Sequence, residues 1–241
     1  MLLALHQPNY LPYFGNFHKM AHVDVFVFFD NVPIGGGQSW VSRNRINLEG
    51  REVWLTVPIF KKGRFGQLIN DVEIKWNTPW VRKHLGTIQL AYRRSPYLEE
   101  VLAVLQRAFD LRPSHLADLN ITLSRTLADM LGIRCQFARA SERVEVDSRG
   151  TLMIREVCQA FGCTTYFAGG ANPNFHQEEV EKAGIRVQFQ HFEHPVYDSL
   201  SGRFMPNLSI LDAILSVGLE QVSKWLSMPQ GSVPVAPVEK V

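Results

Sequence analysis

Apolar runs that stop abruptly at polar clusters alternate along this chain with stretches of helical spacing. Residues 2–5 are apolar and end at His6-Gln7-Pro8-Asn9-Tyr10-Leu11-Pro12. That pattern reads as a buried strand opening into a loop, which its two prolines hold extended. Phe14, Phe17 and Met20 recur at helical spacing within 13–22. Residues 23–29 are almost continuously apolar, as in a strand buried on both faces, and they end at Asp30-Asn31. Two β-rich stretches, 39–46 and 52–58, flank Leu48-Glu49-Gly50 and predict a hairpin, with a further short strand at 72–75.

The middle of the chain is helical. Helices are predicted over about 79–93, 96–109 and 115–130, the last carrying Leu116, Leu119, Leu123, Leu127 and Met130 as its stripe. Gly132 then stops the helix, and 133–138 reads as a strand. Alternation returns afterwards: helix 152–161, strand 164–168, a turn at 169–173, helix 176–183, strand 185–190, then helices at 210–217 and up to 226. The fold class is therefore α/β, a mixed and mostly parallel sheet flanked by helices. A β-hairpin and a helical insertion (about 79–131) interrupt it. One domain is expected over 1–227, with a loose tail at 228–241.

Composition narrows the class. Hydrophobic residues are 46% and charged residues 20% of 241, which excludes a disordered or fibrous chain. A net charge of +2 argues against capture of nucleic acid. Without an apolar run long enough for a membrane span, or a basic leader, a cytoplasmic protein is expected. Cys135, Cys158 and Cys163 are spaced for neither zinc nor a redox pair and read as buried thiols.

Candidate chemistry gathers at strand ends, where open α/β sheets bind ligands. His6, Gln7, Asn9 and Tyr10 follow the first strand and Asp30 the second. If those strands are parallel neighbours, His6 and Asp30 face one crevice as a base and its orienting carboxylate. Arg43 and Arg45, flanking Asn44, share one face of the hairpin and can grip a phosphate or carboxylate, with the Lys61-Lys62-Gly63-Arg64 loop closing over it. His84 and Tyr92 share a helix face. Gly169, Gly170 and Asn172 follow a strand, where backbone N–H groups can approach an anion or a sugar. His18 and His22 stand four apart but lack a third ligand, so no metal is expected. No nucleophile elbow, Walker loop or GxGxxG is present.

The stretch Leu5-His6-Gln7-Pro8-Asn9-Tyr10-Leu11-Pro12, with Gly15 and Phe17-His18-Lys19-Met20, resembles the opening of the WbqC-like family. In order follow Asp24-Val25-Phe26-Val27, Asp30, Ser39-Trp40, Arg43-Asn44-Arg45-Ile46, Trp54-Leu55-Thr56-Val57-Pro58, Trp80, Lys83-His84, Tyr92, Tyr97, Tyr166, Gly169 and Ser209-Ile210-Leu211-Asp212. The likeness spans about 1–218 and departs at Gly35-Gly36-Gly37, where bulkier residues are expected. It implies a place among bacterial surface-polysaccharide genes and transfer of glycine or a similar acyl group to an amino sugar, the sugar nucleotide-linked in our reading. The donor stays open between acyl-coenzyme A, an ATP–magnesium-activated acid and an acyl group on a carrier protein. A weaker similarity to HxGH nucleotidylyltransferases, whose second histidine is displaced here, keeps an adenylating ligase as an alternative. A non-catalytic sugar-nucleotide-binding protein is another, and a homodimer is compatible with the aromatic content.

Overall fold

The computed structural model describes residues 1–35, 39–61, 63–145, 148–170 and 174–231. Gly36, Gly37, Lys62 and Asn172, named above, lie outside the described residues. Five strands build the main sheet: β1 (Leu2–His6), β2 (Val25–Phe28), β5 (Gln136–Arg139), β6 (Thr165–Ala168) and β7 (Arg186–Phe189). Their order is β5-β2-β1-β6-β7 and every pairing is parallel. β3 (Arg43–Leu48) and β4 (Arg51–Thr56) form the expected hairpin as a separate two-stranded sheet. Residues 72–75 make only single bridges, Glu73 to His115 and Ile74 to Ile59, so they are not a full strand.

The chain starts in the centre of the sheet, winds outward through α1 (Phe14–Ala21) to β2 and β5, then crosses to β6 and β7 on the other side. The β1–β2 and β6–β7 crossovers run in opposite directions along the sheet, so the right-handed rule for such crossovers puts α1 and α6 (Gln177–Glu181) on opposite faces. α5 (Thr151–Ala160) packs on α6, while α1 packs on α8 (Leu219–Ser227), which follows α7 (Ile210–Val217). The helical middle is α2 (Trp80–Ala91), α3 (Leu98–Asp110) and α4 (Leu116–Met130), docked to the hairpin through α2. The doubly wound order makes the β1–β6 seam the topological switch point.

That seam is unusually short. β1 pairs with β2 as far as His6–Phe28, and β6 with β7 as far as Ala168–Phe189. Between β1 and β6 only Leu2–Thr165 and Leu3–Tyr166 pair. The hydrogen-bonded ladder between the two halves of the sheet therefore stops short of their carboxyl ends, although the strands stay side by side. Of the expected tail, the first residues are held: Met228 accepts a bond from His22, and Gln230 one from the His191 N–H. Residues 232–241 lie outside the described residues. Among those described, no helix is long and apolar enough to cross a membrane.

Candidate active site

His6 is the last residue of β1 and stands beyond the last β1–β6 ladder pair. Its Nδ1 lies 2.9 Å from the Gln7 carbonyl oxygen. A carbonyl only accepts, so Nδ1 carries the proton and Nε2 the lone pair. Nε2 has no partner among the described residues. Burial lowers the imidazole pKa to about 4, and the neighbouring Lys19 charge adds to that effect against the Gln7 bond. His6 is thus a neutral base throughout the physiological range.

Two cavities meet at this histidine. One, of about 490 Å³, is lined by His6, Gln7, Asn9, Ser39, Trp40 and Tyr166 among others. The second, of about 400 Å³, is lined by His6, Asn9, Tyr13, Trp40, Asn44, Arg45 and Asn207. His6, Asn9 and Trp40 belong to both. Trp40 is 43% exposed and faces Trp54 at 5.4 Å, which leaves an indole surface at the rim. Arg43 and Arg45 do share a face, since the Arg43 guanidinium lies 4.1 Å above the Trp54 ring and Arg45 reaches both indoles. Arg45 also pairs with Glu52 at 2.6 Å. Asn44 is buried and donates to the Tyr10 and Leu11 carbonyls, so it fixes the loop after His6.

Several expected site residues are drawn elsewhere. Asp30 turns away from His6 toward β5. Its carboxylate accepts from Arg139 Nε at 2.8 Å and from the Ser141 N–H and hydroxyl at 3.0 and 2.8 Å. Arg139 also reaches Asp118 on α4 at 2.6 Å, so this charge group ties β2 and β5 to the helical middle. His84 is buried with the Tyr10 hydroxyl 2.9 Å from its Nδ1, and desolvation lowers its pKa to about 4. The Tyr92 hydroxyl donates to Asp212 at 2.7 Å, and Tyr197 to the other Asp212 oxygen at 2.8 Å. Ser209 caps α7 as expected, accepting from the Leu211 N–H, while Asp212 serves the tyrosines inside. Lys61 lines a separate cavity of about 1,110 Å³ with Arg64 and Arg149. Among the described residues, that cavity shares only Gly35 with the His6 clefts.

One functional candidate was quoted above only as part of a motif. Lys19 is 5% exposed and its Nζ has no hydrogen bond or ion pair among the described residues. Helical side chains lean toward the helix N-terminus. This one therefore extends up α1 toward the carboxyl edge of the sheet, where its charge acts on His6. A Cβ placed on Gly169, just beyond β6, would stand 3.5 Å from its Nζ. Burial lowers the Lys19 pKa to about 8. In a sequence, a lysine near a helix C-terminus looks like a solvated partner of the helix dipole, and only the tertiary fold reveals its burial.

A parallel five-stranded sheet with a doubly wound strand order and a separate two-stranded hairpin, flanked by helices, makes this an α/β protein. The sequence as a whole places it further. Residues 7–224 match the model of the WbqC-like protein family, and the chain belongs to that family. It is similar to the uncharacterized protein Rv1507c of Mycobacterium tuberculosis (strain ATCC 25618 / H37Rv), at 30% identity over 221 residues, 90% of this chain and 94% of that protein. No solved structure matches the chain.

Proposed function

We propose that the chain is an acyl- or aminoacyltransferase that acylates the amino group of a nucleotide-linked sugar in surface-polysaccharide biosynthesis. The observation that carries this reading is His6, neutral, its Nδ1 proton fixed by Gln7 and its Nε2 free at the mouth of two cavities. The sugar amine attacks the acyl carbonyl, and a C–N bond forms as the carbonyl π electrons move to oxygen. Nε2 takes the proton from the attacking nitrogen. Collapse of the tetrahedral adduct expels the donor's thiolate or phosphate, and His6 returns the proton to it. The Trp40 indole offers a stacking surface for the ring of the acceptor, and Asn9 offers an amide to its hydroxyls, while Asn44 holds the loop that carries Asn9. The donor class follows from which activated acid the protein consumes.

The test is direct. The purified chain is incubated with nucleotide-linked amino sugars and, in turn, acetyl-coenzyme A, glycine with ATP and magnesium, or an acylated carrier protein. N-acylated sugar is read by mass spectrometry. Product that disappears in His6→Ala, with folding intact, supports the reading. Undiminished turnover in that variant removes His6 from the role. Pyrophosphate exchange from ATP dependent on an amino acid would instead favour the adenylating alternative.

A further inference from the structure

A buried ammonium without a counter-charge is a costly feature, because desolvation of the ion is offset by nothing in the fold. Lys19 approaches this condition: the residue is 5% exposed, its stem is buried with only the ammonium tip reaching solvent, and no carboxylate, hydroxyl or carbonyl is bonded to its Nζ among the described residues. Natural folds pair their buried charges with acidic side chains, as Arg139 is paired twice here. The place where Lys19 goes unpaired is the seam where β1 and β6 cease to pair, beside His6 and against the side-chain-free face of Gly169. The end of the β1–β6 ladder, a cation and a missing side chain lie together beside His6.

We infer that Lys19, with the backbone at Gly169-Gly170, is the seat of an oxyanion of the bound ligand, a phosphoryl or carboxylate group that supplies the counter-charge this lysine lacks in the free protein. The inference rests on the reading that the His6 crevice is the ligand site, and it adds the chemical class of group that the crevice recognises. The ammonium holds the anion while neutral His6, adjacent, stays available for the neighbouring N–H or O–H of the same ligand. Gly169 contributes by being small. Its backbone is outside the left-handed region, so a side chain is excluded by the need for space at Nζ rather than by conformation.

The experiment reads melting temperature, not turnover, so its failure is distinct from failure of the transferase reading. The wild-type chain is titrated at constant ionic strength with inorganic phosphate, pyrophosphate, acetate and glycine, each against sodium chloride. An anion reaching about 100 times its Kd raises the melting temperature by roughly 5–11 °C for a chain of this size. Lys19→Met, similar in length and uncharged, abolishes that shift, while the free variant melts at or above the wild type because the uncompensated charge is gone. A shift with phosphate or pyrophosphate assigns a phosphoryl seat, and one with acetate or glycine a carboxylate seat. Gly169→Asp provides an independent arm. Its carboxylate fills the seat from within the chain, which raises the melting temperature without added anion and removes the response. Either no anion shift in the wild type, or an equal shift in Lys19→Met, overturns the proposal. If Lys19→Met does not fold, Gly169→Asp decides, and a retained full response there overturns it as well.

Discussion

Two charged side chains are buried to nearly the same degree in this molecule, and they are treated in opposite ways. Asp30 is 0% exposed and accepts three hydrogen bonds from Arg139 and Ser141. Lys19 is 5% exposed and accepts none of the protein's acids as a partner among the described residues. Both end near the carboxyl edge of the sheet, one strand apart in origin. The first charge is consumed by the fold, and the second is left over. Burial alone thus says little about function. What separates a structural ion from a ligand-facing one is whether its hydrogen-bonding capacity is already satisfied.

That contrast can be broken at either end. The largest effect is expected at the open end, where His6→Ala lowers the transfer rate by about 10²–10⁴ with a small change in melting temperature, checked by steady-state kinetics beside calorimetry. An intact rate would return His6 to the structural group. At the closed end, Arg139→Leu leaves the Asp30 carboxylate buried without its cation. Loss of about 3–5 kcal/mol in urea unfolding is expected, and a loss below about 1 kcal/mol would show that Ser141 alone satisfies Asp30.

Acidification sharpens the picture next. His18 and His84 are buried, and desolvation holds the pKa of each near 4 against about 6.5 for an unfolded histidine. Between those values the unfolded chain binds more protons, so stability is present above pH 6.5 and is lost as pH falls toward 4. Each contributes on the order of 2 kcal/mol between pH 7 and pH 5, and His84→Gln should flatten the urea-midpoint profile accordingly. A profile unchanged in that variant would mean His84 is hydrated. The smallest effect is that of Trp40→Ala, which removes the Trp40–Trp54 contact and costs about 0.5–1.5 kcal/mol of stability. Its mark is a raised KM for the sugar substrate with kcat retained.

The sequence was readable wherever a local pattern carried the information. The apolar stretch ending at His6 announced a buried strand with polar residues at its carboxyl end, and β1 is that strand, placed at the centre of the sheet. Alternation around Leu48-Glu49-Gly50 announced the hairpin, and the stripe from Leu116 to Met130 announced α4. The sheet proved wholly parallel because the antiparallel pair separated from it. Partners distant in sequence were not readable. Asp30 looked like a companion for His6 because both follow apolar strands, yet Arg139 arrives from 109 residues away to claim it. Tyr92 and His84 look like site residues by type, and each is bonded to a distant side chain, Asp212 or Tyr10, that no local spacing discloses.

The short β1–β6 seam also governs how the molecule is assembled. It joins Leu2 to Thr165, residues separated by 163 positions, whereas β6 and β7 pair over about twenty. Loop-closure entropy makes such a contact late to form, since the intervening chain must be ordered before the pairing stabilises anything. The crevice at that seam therefore comes into being only when both halves of the sheet have folded and docked. Under the proposal that an anion is seated there, its occupancy would report completed folding, and the anion would act as a clasp that slows the halves from coming apart.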